Sequence, residues 1–188
     1  MKYCKLSRLL LVAALLTQLG ACGYGDLNQA SAEVDRAWLE VKHGYEVDAR
    51  VAADALEVAQ REPGMDHAAL DAANLAYLRA NGTQLDLKLA NDAQAFDQFK
   101  RNRAELTGAL HRLLAEAKKH PALQGNAAMA ALERNLHEQD SQNQARARYS
   151  ESVTRYNTLL SQFPERVTGK LLGFDPRPQF VRTAEGVS

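Results

Sequence analysis

The chain has 188 residues, with 23 Lys and Arg against 23 Asp and Glu, 46% hydrophobic residues, 5 prolines and 2 cysteines. That length suits a single domain behind a leader, and two cysteines at positions 4 and 22 exclude a disulfide scaffold. Charges of both signs are interspersed, which excludes the clustered Lys/Arg footprint that nucleic acid demands.

At the start, Lys2, Lys5 and Arg8 form a basic segment and Leu9 to Leu19 an uncharged apolar run. The run is shorter than the roughly 20 residues that cross a bilayer and fits the h-region of a signal peptide, about 7–15 residues. Leu19-Gly20-Ala21-Cys22 resembles the lipobox of bacterial lipoproteins. That resemblance implies removal of residues 1–21 and acylation of Cys22, so that Cys22 is the lipid attachment residue. Ordinary cleavage is the alternative, but it sets Leu19 at the −3 position, where a small residue is wanted. Two or three acyl chains on one residue exceed the two-signal threshold for stable anchoring. Gly23 rather than Asp after the cysteine, by resemblance to enterobacterial sorting, favours the outer membrane over the inner, with the domain facing the periplasm. With Cys4 in the leader and Cys22 acylated, no thiol remains for a disulfide, a nucleophile or a metal. Three of the basic residues and none of the acids fall in residues 1–21, which leaves a mildly acidic domain.

Beyond the leader, abundant alanine with sparse glycine and proline predicts long helices. Leu27, Val34, Val41, Asp48 and Ala55 recur every seven residues, with Ser31, Trp38, Tyr45, Ala52 and Ala59 between them, a stripe on one helix from about Asp26. Pro63-Gly64 must end it. Asp66 is a candidate N-cap for a second helix to Ala80, stopped by Asn81-Gly82 as an αL-tolerant pair. Thr83 and Asp86 have capping-box-like spacing, and a stripe through Leu85, Leu89, Phe96, Phe99, Leu106, Leu110 and Leu113 predicts a third helix to Lys119. After His120-Pro121, Asn126 is a good N-cap for a last helix to about Phe163, where Pro164 closes it. A short apolar piece, Val167 to Phe174, and an extended tail follow. Long stripes with short turns give an all-α fold, an up-and-down antiparallel four-helix bundle, over residues 22–175, with 176–188 extended or disordered.

These residues resemble the LemA family. Cys22-Gly23-Tyr24, Asp26-Leu27, Glu33-Val34-Asp35, Ala37-Trp38 and Val41 are similar to its start. His120-Pro121-Ala122-Leu123 with Asn126, Ala145-Arg146 and Tyr149, Tyr156-Asn157, Phe163-Pro164 and Gly173-Phe174 are similar to its C-terminal half. The family's proline-containing stretch would fall at Val47–Ala55, which here lacks proline, so helix 1 ends either near residue 50 or near residue 61. The resemblance implies a four-helix bundle attached to the bacterial envelope and brings no catalytic residue with it.

Polar residues at stripe positions are the most informative chemistry. Asp48, Asp92, Arg103, Asn143 and Ser150, with Arg146 nearby, stand where apolar residues are expected, and buried charges need partners. They form either a candidate internal polar layer lining a small-ligand pocket, or a registry device at solvent-open levels. Glu40-x-x-His43 has the spacing of di-metal bundle sites, but such a site needs two motifs, and His43 lies on the polar side. No nucleophile elbow, Ser-x-x-Lys, H-E-x-x-H or P-loop occurs. The aromatics Trp38, Tyr45, Phe96, Phe99, Tyr149 and Tyr156 read as core. Arg177, between two prolines, is placed to pin the tail.

The expected function is therefore that of a lipid-anchored, non-enzymatic envelope protein without cofactor or metal. It reaches the membrane through lipidated Cys22 and an envelope protein as partner, with no nucleic acid. The alternative is a small-ligand-binding bundle that uses the internal polar layer.

Overall fold

The computed structural model describes residues 2–137, 140–162 and 164–180, with side chains described from Tyr24 onward except at 140 and 141. Among the described residues the fold is all-α, and no helix is long and apolar enough to cross a membrane. Six helices follow in order: α1 (Lys2–Gln60), α2 (His67–Asn81), α3 (Ala93–Ala117), α4 (Ala127–His137), α5 (Asp140–Ser161) and α6 (Glu165–Leu172).

α1 is continuous through Val47–Ala55, which settles its end near residue 60. With no proline in that stretch, nothing interrupts the i→i−4 ladder. The N-caps of α2 and α4 are the expected ones. Asp66 accepts from the Ala68 amide at 2.9 Å, and Asn126 from Ala128 at 2.9 Å. α2 stops at Asn81-Gly82 as expected, although Gly82 is right-handed (φ −70°) and its amide closes on Leu78 O, so the αL stop is corrected.

The start of α3 is a larger correction. The Thr83/Asp86 spacing does not open a helix. Asp86 Oδ1 instead accepts from the Lys88 and Leu89 amides at 3.0 and 3.1 Å and folds a turn. A short 3-10 turn, Leu89–Asn91, drops Leu89 and Ala90 into the core, and the helix begins only after Asp92, whose Oδ1 caps Ala95 N at 2.9 Å. The final helix expected over 126–163 is described in two parts, α4 and α5, and residues 138–139 between them lie outside the described residues. Phe163, the expected end, and residues 181–188, the end of the expected tail, lie outside the described residues.

Two apolar clusters hold the helices. One joins the C-terminal half of α1 to α2, the C-terminal part of α3 and α4, around Ala55, Ala73, Leu113 and Leu132. The other joins the earlier part of α1 to the start of α3 and to α5. At its centre the fully buried Trp38 ring lies 5.8 Å from Phe96, 6.1 Å from Phe99 and 5.4 Å from Tyr149. Large aromatics are the side chains whose burial contributes most per residue, about 2–3 kcal/mol each. The predicted stripe residues Leu27, Val34, Val41, Tyr45 and Ala52 are all buried, so the heptad reading located the core face of α1.

α6 packs across α1 and α5 at the end of the domain where Leu27 is buried. Gly169 makes this possible, since a Cβ there would stand 2.7 Å from Leu160 Cδ2. Gly173 then adopts φ 75°, a left-handed cap that glycine takes without strain, and turns the chain so that Phe174 N–H donates to Gly169 O at 3.0 Å. From there the chain runs without regular structure to Phe180, whose ring packs 4.9 Å from Phe96 and 5.6 Å from Tyr149. Residues 175–180 are thus an extended tail packed on the helices.

Candidate functional site, a polar layer between two cores

The two apolar clusters leave a level between them at residues 45–48 of α1, and polar side chains from α1, α3, α4 and α5 meet there. Asp48 is half-buried. Its Oδ1 accepts from Asn135 Nδ2 at 2.8 Å and its Oδ2 from Gln142 Nε2 at 3.0 Å, so both carboxylate oxygens are satisfied by neutral amides. Gln142 comes this close because α1 carries no side chain opposite it at Gly44.

Arg103 enters from α3 and is only 8% exposed. Its guanidinium lies 4.7 Å from the Tyr45 ring centre and 5.5 Å from that of Phe99, and NH2 makes one long contact, 3.4 Å, with Asn81 Oδ1. Its Nε has no partner among the described residues. Burial lowers the pKa of Arg103, and Tyr45 and Asp48 oppose the shift. Burial likewise raises that of Tyr45 against the nearby Arg146 and Arg103 charges. Arg146, from α5, donates through Nε to Gln142 O at 3.3 Å and through NH2 to Asn143 Oδ1 at 3.0 Å. Tyr45, Asp48, Arg103, Asn135, Gln142, Asn143 and Arg146 line a cleft of about 520 Å³, whose walls also include Leu106, Leu110, Leu136 and Phe180.

Of the residues read from sequence as one layer, Asp48, Arg103, Asn143 and Arg146 do border one cavity, with Asn143 exposed at its rim. Asp92 does not. It is an exposed N-cap of α3, because α3 starts there rather than at residue 83. Ser150 is buried outside this cleft, its hydroxyl unpaired among the described residues. Asn135, Gln142 and Tyr45 complete the layer and were missed. Asn135 lies off the α4 stripe, and Gln142 shows its role only once Gly44 is seen opposite it. Glu40 pairs with Arg148 at 3.0 Å on the surface, and His43 is exposed on the polar face of α1. Among the described residues, no group of three His, Cys, Asp or Glu side chains is arranged to hold a metal ion.

The positions with a family resemblance cluster around the tail. Tyr149 Oη donates to Pro178 O at 3.0 Å and Tyr156 Oη to Asp175 O at 3.1 Å. Asn157 holds the backbone of Arg177 through both its amide groups, each at 2.9 Å. Burial raises the pKa of both tyrosines. Pro164 opens α6, Gly173 closes it, and the Phe174 ring meets Tyr24 edge-on at 6.3 Å. Trp38 is the centre of the aromatic core. Phe163 is not described, nor is the side chain of Cys22.

The LemA family model matches residues 65–187, which includes Tyr149, Tyr156-Asn157, Phe163-Pro164 and Gly173-Phe174. Trp38 and Cys22 precede the matched span. No curated protein matches the chain. The family pattern covers most of the sequence, so the chain belongs to the LemA family.

Proposed function

We propose that this protein is a lipid-anchored, non-enzymatic component of the bacterial envelope, an interaction or scaffold module tethered by acylated Cys22 and facing the periplasm, at the outer membrane. One observation carries the reading. The end of the domain nearest Cys22 also presents α6, whose exposed Val167, Leu171 and Leu172 are flanked by Arg166 and Lys170. Leu27, the first buried residue of α1 among those described, packs close to Gly169 of α6. It lies five residues after Cys22, about 8 Å along a helix. An apolar face edged with cations is the pattern of a helix that lies against lipid headgroups.

The four-helix bundle belongs to the same proposal, with α1, α2, α3 and the α4–α5 pair as its members. The mildly acidic helical surface is offered to an envelope protein partner. The family-like Tyr149, Tyr156 and Asn157 support a non-enzymatic role, since their polar groups are spent on holding the tail.

A Cys22→Ser substitution tests the anchor. The unaltered protein is expected in the membrane fraction with a lipid mass on its N-terminal peptide, and the variant in the soluble periplasmic fraction or uncleaved. An unaltered protein that is freely soluble and carries an unmodified thiol overturns the reading. Crosslinking in intact cells followed by mass spectrometry is expected to capture a stoichiometric envelope partner.

A second reading is favoured by the cleft at the polar layer, a small-ligand-binding bundle. Cavities of about 300–1,000 Å³ with mostly apolar walls and a few convergent polar groups are the usual form of such sites.

A further inference from the structure

We propose that the cleft at the polar layer binds a small organic anion, a carboxylate with an apolar body, held by Arg103 and Arg146. The proposal rests on the ligand-binding reading and adds the chemical class.

Charge is the first argument. Two guanidiniums border the cleft, and neither forms an ion pair among the described residues. Asp48, the one carboxylate among the described residues that line the cleft, already receives a hydrogen bond at each oxygen from Asn135 and Gln142. A buried cation is costly unless it is paired. The two aromatic faces beside Arg103 return only part of that cost, about 1–2 kcal/mol.

Unused donors are the second argument. Arg103 is more than nine-tenths buried, yet its Nε is unpartnered and NH2 has a single contact at 3.4 Å, at the limit of a hydrogen bond. Guanidinium donors form a fixed fork that matches a carboxylate, and charge-assisted hydrogen bonds of that kind are about twice as strong as neutral ones. A guanidinium with a free donor on a cavity wall is therefore a donor site for an oxyanion.

The rest of the wall sets the body of the ligand. Leu106, Leu110, Leu136 and Phe180 give the anion an apolar neighbourhood, which disfavours a bare, fully hydrated ion such as phosphate. Phe180 is supplied by the tail, so the Arg177 clamp also shapes the cleft.

The test uses the full chain in lipid nanodiscs and two matched probes, 3-phenylpropionate and its neutral amide, with inorganic phosphate as a third. Isothermal titration is expected to show binding of the carboxylate, with the amide and phosphate at least about tenfold weaker. Arg146→Gln, at a partly exposed position, is expected to weaken the carboxylate about tenfold with an unchanged thermal melt. Arg103→Gln is expected to weaken it at least as much, and Arg103→Lys to retain more of the affinity. Should Arg103→Gln fail to fold, Arg146→Gln decides alone. If the amide binds as tightly as the acid, or if neither arginine matters, the anion assignment is overturned while a ligand-binding bundle stands. If no probe binds, both are overturned.

Discussion

Arg177 in the tail reaches back across 142 residues to form an ion pair with Asp35 on α1, and its NH2 donates to Ser31 Oγ at 2.8 Å. The Arg177 side chain is 9% exposed and that of Asp35 34%. The guanidinium also lies 5.3 Å from the Tyr156 ring centre, while Asn157 grips the backbone of the same residue. One residue thus ties the tail to α1 and α5 together.

Replacement of Arg177 by Ala is expected to lower stability by about 2 kcal/mol, below the range for a fully buried pair because Asp35 is partly solvated. Urea unfolding of Arg177→Ala, Asp35→Asn and the double variant measures it. A coupling energy of about 1 kcal/mol or more is expected between the two positions, with earlier proteolysis of the tail in each single variant. Additive effects would show that the pair has no energetic role.

Trp38 gives a prediction about size against polarity. The ring is fully buried, but its Nε1–H has no acceptor among the described residues. Trp38→Ala is expected to cost about 3–5 kcal/mol, as for other large-to-small core changes. Trp38→Phe removes the unsatisfied donor along with part of the ring, and the gain from losing a buried orphan group offsets some of the cavity cost. It is expected to cost less than half as much, read from the midpoints of chemical denaturation.

Gly44 is predicted to change the sign of its effect with its neighbour. In an ordinary exposed helix, Gly→Ala stabilises by about 1 kcal/mol. Here an added Cβ would stand 2.2 Å from Gln142 Nε2. The amide end can swing away, but it then gives up its bond to Asp48, and a hydrogen bond to a charged group contributes about 1.5–3 kcal/mol. Gly44→Ala is expected to lower the melting temperature in the natural chain and to raise it in a Gln142→Ala background. The same sign in both backgrounds would mean that the close approach carries no energy.

The parts of this fold that can be read from the chain are those in which one helix records its own environment. Leu27, Val34, Trp38, Val41 and Tyr45 show the period because each faces the same core. Asp48 and Arg103 at stripe positions did mark the gap between the two clusters, since a break in the apolar stripe there coincides with a break in the apolar interior. Asp92 misled because an N-cap and a buried charge look alike until the helix start is known, and two aspartates six residues apart, Asp86 and Asp92, compete for that start. The bonds from Tyr149, Tyr156 and Asn157 to the tail cannot be read in advance. Their acceptors include backbone carbonyls of residues 175–178, and a carbonyl has no sequence signature.

The same tyrosines give the protein a defined response to alkali. Tyr45, Tyr149 and Tyr156 all have pKa values raised above 10.0, chiefly because burial penalises the phenolate. A raised folded-state pKa means that below about pH 10 both states hold the proton, and the contribution to stability is fully present. Above that pH the unfolded chain releases protons that the folded chain keeps, so stability falls as pH rises toward the folded-state values. Unfolding free energy is therefore expected to be flat with respect to these groups through neutral pH and to decline above pH 10. Tyr149→Phe removes one of the three contributions and is expected to make the decline shallower, at the cost of the bond to Pro178 O, about 1 kcal/mol at neutral pH. Absorbance at the phenolate band, followed alongside circular dichroism, checks the order of events. Tyr45, Tyr149 and Tyr156 are expected to ionise together with loss of helix. Ionisation of these three with the helices intact would show that the aromatic core is open to hydroxide without unfolding.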